Sequence, residues 1–165
     1  MKIRYSRKFL TLILLLFLPL SISAQKNIEQ KVQRDPVLEA DSMHNLDVAR
    51  LMFRLRKAYK GVLMRCEEII AANPNFSRMD EVLYLSGMSS YYLLEGKGSQ
   101  KIDLRNEREK EKYNPEKLLT DAIVYLKILV EKYPQSRFRE EAERTLKLLE
   151  EKYKTNAEKK VEGAN

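Results

Sequence analysis

The chain has 165 residues, with 31 Lys and Arg against 24 Asp and Glu, a formal net charge of +7. One histidine and one cysteine exclude an intramolecular disulfide and any metal site built from His and Cys. Four basic residues and no acidic ones fall in the first 24 positions, so the rest has 27 basic and 24 acidic residues, a charge of +3. So small a surplus, with no basic run interleaved with aromatic residues, argues against nucleic-acid binding.

Residues 1–24 have the pattern of a secretory signal peptide. A basic start precedes an apolar run over residues 9–20, and Ala24 is the small residue that a cleavage site needs. The run is shorter than the roughly 20 residues that a membrane-spanning helix requires. We therefore expect an exported protein with a cleaved signal peptide, the alternative being an uncleaved N-terminal anchor. Gln25 stands where a lipoprotein would have its lipidated cysteine, so membrane association is expected only through a partner or an uncleaved signal.

The remaining chain predicts an all-α fold. Residues 25–35 are polar and predict a flexible leader, and residues 155–165 predict a polar, frayed tail. Proline and capping Asp or Asn mark the helix ends between them. The apolar spacing predicts five helices, at about 36–57, 58–73, 79–95, 115–133 and 138–154.

Two of these helices end in matching stretches, Cys66–Pro74 and Leu126–Pro134. Set sixty residues apart, their apolar positions and closing prolines coincide, and each is followed by a short polar turn and a new helix that opens with acidic residues. A recurring helical hairpin hides its apolar face by stacking on its neighbours. The pattern therefore predicts a short helical-hairpin solenoid.

The third helix and the segment after it interrupt this regularity. Small residues recur in the helix interior, where they cost roughly 0.5–1 kcal/mol each relative to alanine, so a neighbouring helix is expected to approach closely there. The charged segment 97–117 is expected to be a solvated insertion, partly helical or mobile. The small residues are Ser86, Gly87, Ser89 and Ser90.

The spacing resembles the tetratricopeptide repeat, a helical hairpin of about 34 residues. Arg50 departs from the resemblance, since a small residue is usual there, whereas Gly87 fits the same position of the second unit. The matching residues of the first unit are Leu46, Ala49, Phe53, Val62, Cys66, Ile69 and Pro74.

More narrowly, Ile70–Ser77 and Lys132–Ala142 resemble the BamD/ComL outer-membrane-protein assembly lipoprotein subgroup, over about residues 43–153. This resemblance implies an exported scaffold, in the periplasm or at the outer membrane, that binds a protein or peptide of the cell envelope. The resemblance further implies a role in outer-membrane protein assembly. The alternative is a structural subunit of a larger envelope complex that folds or docks with a partner.

Catalytic chemistry is not indicated. Cys66 lies on an apolar helix stripe and is expected to be a core thiol, and His44 is expected on the surface or in a groove. The adjacent carboxylates Glu67-Glu68 and Glu140-Glu141 point to different sides of their helices. We expect no enzyme activity, no cofactor and no metal.

The resemblance places a partner-binding groove on the first helix of each unit. Tyrosine suits such a surface because its ring can be buried while its hydroxyl stays polar. The alternative is that the residues of the second unit pack on the insertion or on the next helix. The predicted groove residues are His44, Asp47, Leu51 and Arg54 in the first unit and Tyr84, Met88, Tyr91 and Tyr92 in the second.

Overall fold

A computed structural model describes the backbone of residues 34–162 and the side chains of residues 34–152. Over this part the chain is helical with no strand, which confirms the predicted all-α class. None of these helices is long and apolar enough to cross a membrane. The predicted signal peptide and almost all of the predicted leader lie outside the described residues. The helices are α1 Pro36–Leu51, extended by a π-helical turn Met52–Arg56, then α2 Tyr59–Ala72, α3 Met79–Leu94, α4 Glu107–Lys112, α5 Pro115–Lys132 and α6 Arg139–Glu162.

Short polar side chains and prolines set the helix ends. Asp35 caps α1 by accepting a hydrogen bond from the Val37 backbone N–H at 2.8 Å, and Asn114 caps α5 in the same way. The two helices that precede a proline, α2 and α5, end at Ala72 and Lys132, two residues before it. The last helix runs to Glu162, beyond the end predicted near residue 154.

The helices pair as antiparallel hairpins. Helices α1 and α2 form the first hairpin, α3 and α5 the second, and α6 is the first helix of a third. Helix α3 lies in the middle, and every residue from 81 to 90 is buried. Fully buried side chains from all three units form one core, among them Leu46, Val62, Cys66, Val82, Leu126 and Leu149.

The small residues of α3 are explained by the approach of α5. A Cβ atom at Gly87 would lie 2.6 Å from Cγ of Leu126, whose side chain is fully buried and cannot move aside. Glycine therefore lets the two helices approach more closely than any other residue would allow. Ser86 satisfies its hydroxyl within the helix by donating to the Val82 carbonyl at 2.8 Å.

The insertion is partly helical and is anchored to the first hairpin. The Ser99 backbone N–H donates to the Lys57 carbonyl at 3.0 Å, and its hydroxyl donates to the Arg56 carbonyl at 2.7 Å. Further along, the Lys60 ammonium pairs with Glu109 at 2.8 Å. A second apolar cluster of Tyr59, Leu63, Leu93, Tyr113 and Leu118 lies under the segment.

Candidate binding groove

Three helices, one from each unit, lie side by side. The Arg50 guanidinium of α1 donates to the Glu81 carboxylate of α3 at 2.6 Å, and the Tyr84 hydroxyl of α3 donates to the Glu141 carboxylate of α6 at 2.7 Å. Helix α3 is therefore flanked by α1 and α6 in the arrangement that a tetratricopeptide-like stack predicts.

Helix α1 forms one wall of the candidate groove and carries the four groove residues predicted in the first unit. All four, His44, Asp47, Leu51 and Arg54, are exposed, and Leu51 keeps 52% of its surface in solvent. Asp47 accepts from Arg50 at 2.7 Å. Within the described residues Arg54 has no ion-pair partner, so its charge remains available to a ligand.

Two of the residues predicted on α3, the helix between the two walls, are more buried than a groove position requires. Tyr84 is 8% exposed and stacks on Phe138 at a ring separation of 4.4 Å. Burial and the hydrogen bond to Glu141 both raise the pKa of Tyr84. Met88 is 3% exposed, and its sulfur accepts from the Thr145 hydroxyl at 3.6 Å. Tyr84 and Met88 therefore pack against the next helix, α6, which is the alternative to a position in the groove.

The other two predicted tyrosines are half-buried. Tyr92 lies between two aromatic rings, 5.9 Å from Phe53 and 4.9 Å from Tyr59, and packs mainly with its own molecule. Tyr91 contacts Tyr92 at 5.5 Å and has the Lys97 ammonium 5.8 Å from its ring centre. Tyr91 is therefore the member of the tyrosine set best placed to meet a partner.

The opposite wall includes a residue that the sequence analysis missed. Leu148 of α6 is 56% exposed. By helical spacing it lies on the same side as Glu141 and Thr145, which contact α3, and as Lys152, which contacts the residue just after α3. The sixty-residue offset could have found it, because Leu148 falls sixty residues after Met88. We use "inner groove" for the surface of Asp47, Leu51, Arg54, Tyr91 and Leu148.

One end of the inner groove is fixed by a buried carboxylate. Glu81 is 2% exposed and accepts from Arg50 through both oxygens, at 2.7 and 2.6 Å, from Arg78 at 2.8 Å and from Arg137 at 3.5 Å. Burial alone would raise the pKa of Glu81, but its hydrogen bonds with Arg50 and the charges of the three arginines outweigh burial and lower it. Arg50, which departs from the repeat pattern, is therefore a partner for this buried charge.

The cysteine and the adjacent carboxylates that the sequence analysis considered for catalysis lie in unreactive surroundings. The Cys66 side chain is fully buried, and burial raises its pKa to about 12, so the thiolate that acts as a nucleophile is scarce at neutral pH. Glu67 pairs with Lys112 at 2.6 Å and Glu140 with Arg144 at 2.7 Å. Residues 34–152 contain no cluster of three or more His, Cys, Asp or Glu that could hold a metal ion.

Comparison with known proteins gives a family match. The model of the family YfiO, described as outer membrane lipoprotein, matches residues 22–160. No curated protein and no solved structure matches the chain.

Proposed function

Because the chain belongs to the YfiO family of outer membrane lipoproteins, of BamD/ComL-like helical-repeat type, we propose that it is a scaffold without catalytic activity. It acts in the cell envelope and binds a protein or peptide partner along the inner groove. Its narrower role is in outer-membrane protein assembly, as the resemblance to the BamD/ComL subgroup implies, and the family match to outer membrane lipoproteins supports this.

The exposed leucines on both walls carry this proposal. Leu51 and Leu148 keep 52% and 56% of their surfaces in solvent at equivalent positions of α1 and α6. Burying such a side chain fully contributes about 1.5–3 kcal/mol, so covering the exposed half of both would contribute about 2 kcal/mol to binding. Tyr91 belongs to α3, the helix between α1 and α6, and Arg54 supplies a cation without an ion-pair partner in the described part of the chain. This combination of apolar anchors and a few polar groups is typical of protein interfaces.

A photocrosslinking experiment in cells tests the proposal. A photoreactive amino acid replaces Leu51 or Leu148 in the inner groove, and matched positions outside it are Met64 of α2 and Val124 of α5, which are 53% and 46% exposed. We expect the two groove positions to form adducts with outer-membrane proteins or their assembly factors, identified by mass spectrometry. The outer positions should form few.

Two results would count against this assignment. Adducts that form equally at all four positions would indicate nonspecific contact. Adducts that form only at the α2 and α5 positions would favour the alternative, a structural subunit docked through its outer face.

A further inference from the structure

Positive charge is concentrated at one end of the fold. Residues 54–60 and 97–112 together hold ten basic and four acidic residues, a net charge of +6. The rest of residues 34–162 holds fifteen basic and nineteen acidic residues, a net charge of −4. The net charge of the whole chain does not reveal this uneven distribution. Of the residues in the two basic segments, only Arg54 also belongs to the inner groove.

The two basic segments meet in space. Ser99 hydrogen-bonds to the backbone carbonyls of Arg56 and Lys57, the Gly61 backbone N–H donates to Gln100 at 3.1 Å, and Lys60 donates to the Lys101 carbonyl at 3.0 Å. These bonds hold the insertion against the turn between α1 and α2. We call this surface, formed by residues 54–60 and 97–112, the basic end.

Most of its cations point into solvent. Three ammonium groups pair within the chain, Lys60 with Glu109, Lys112 with Glu67 and, at 3.4 Å, Lys110 with Glu107. Arg105 is 95% exposed and has only a long contact of 3.4 Å to Asp103. Exposed cations of the basic end without an ion-pair partner among the described residues are Arg54, Arg56, Lys57, Lys97, Lys101 and Arg108.

Two of the most exposed leucines described lie among these cations. Leu55, in the π-helical turn, is 75% exposed, and Leu104, at the tip of the insertion, is 71% exposed. The backbone around Leu104 is held by two hydrogen bonds, from Asp103 N–H to Glu109 at 2.9 Å and from Arg105 N–H to Asp103 at 3.0 Å. The exposed Leu104 is therefore carried by a backbone segment that its own hydrogen bonds hold in place.

Unpaired cations with two largely exposed leucines among them complement an anionic bilayer, whose phosphates would meet the cations and whose apolar boundary would take up the leucines. Basic residues close to an anionic bilayer contribute about 1 kcal/mol each, and apolar side chains among them enter the headgroup boundary. We propose that the basic end is a docking surface for an anionic phospholipid bilayer, with Leu55 and Leu104 entering the interface and the surrounding cations contacting lipid phosphates. The basic end shares Arg54 with the inner groove, but bilayer binding does not depend on partner binding in the groove.

Vesicle sedimentation tests this. The protein purified from the envelope is mixed with vesicles of phosphatidylcholine alone or with about one-third phosphatidylglycerol. We expect binding to the anionic vesicles only, weakened by salt. The triple variant Arg56→Gln, Lys101→Gln and Arg105→Gln should bind at least about tenfold more weakly. The matched control, Lys127→Gln, Lys132→Gln and Lys147→Gln, removes the same charge from exposed positions elsewhere and should bind like the wild type.

A second pair of variants tests the leucines. Leu55→Ser with Leu104→Ser should also weaken binding, whereas Met64→Ser with Val124→Ser should not, and circular dichroism should show all variants folded. Residues before position 34 are common to every variant, so a contribution from them cannot mimic the differences. Equal binding by basic-end and control variants, or equal binding to both vesicle types, would overturn the proposal. So would binding to soluble polyglutamate without binding to vesicles, which would indicate an acidic protein partner.

Discussion

Removing Arg50 tests whether the buried carboxylate links the hairpins. Arg50→Met keeps much of the apolar stem of the side chain but removes the guanidinium that contacts both oxygens of Glu81. Glu81 is 2% exposed and cannot recover hydration without opening the interface. Arg78 and Arg137 still face one oxygen, Oε2, while Oε1 loses its donor.

The expected loss of stability follows from these contacts. Breaking a buried ion pair by removing one partner costs about 3–5 kcal/mol. Since the two other arginines retain part of the compensation, we expect about 3 kcal/mol, the lower end. For a domain of this size one kcal/mol shifts Tm by roughly 3–5 °C, so Tm should fall by about 10–15 °C.

Urea and thermal unfolding followed by circular dichroism measure the effect. The control is Arg144→Met, which breaks an exposed pair with Glu140 and should cost under about 0.5 kcal/mol. The double variant Arg50→Met with Glu81→Met should be more stable than Arg50→Met alone, because no buried charge is left unpaired. A single-variant loss below about 1 kcal/mol, or a double-variant loss equal to the sum of the singles, would refute the reasoning.

Three further predictions concern the core and the pH dependence. Gly87→Ala should destabilise the fold by about 1 kcal/mol, since overpacking against Leu126 outweighs the gain in helix propensity; a rise in the urea midpoint would contradict this. The Cys66 thiol should resist a thiol reagent at about pH 8 and react fully in denaturant, and rapid labelling of the folded protein would show that it is not buried. Because folding lowers the pKa of Glu81, the ionised carboxylate contributes its full stability above about pH 4.5, and this stability is lost as pH falls through the folded pKa. Tm should therefore fall in acid, and it should fall less in Glu81→Gln. An equal acid dependence of Tm in both proteins would contradict this.

The helices were predictable because local chemistry sets their ends. Proline and capping residues act within a few positions, so the starts at Pro36 and Pro115 and the ends before Pro74 and Pro134 could be predicted from the sequence. The glycine in α3 was equally informative, since its cost inside a helix indicates a close neighbour.

The groove was only partly predictable because it depends on contacts between distant helices. Helical spacing puts Tyr84 and Met88 on the same side as Tyr91, but it does not show that α6 covers the first two. The departure at Arg50 was visible, whereas its partner Glu81 lies on another helix at a spacing that no repeat rule indicates.

The position of the basic end was hidden for a related reason. Its two segments are about forty residues apart in the chain, and a polar, charged segment gives no periodic signal from which its anchoring could be inferred. The hydrogen bonds of Ser99 and the ion pair of Lys60 bring the segments together only in the folded protein.

The insertion connects α3 and α5, the two helices of the second hairpin. This position matters for protein engineering. The two helices pack directly against each other, with their closest approach at Gly87 and Leu126. Because the entropy of closing a loop grows only slowly with its length, this connection can be lengthened at little cost. The exposed tip around Leu104 is therefore a natural point at which to split the protein into two complementing fragments or to insert a reporter domain.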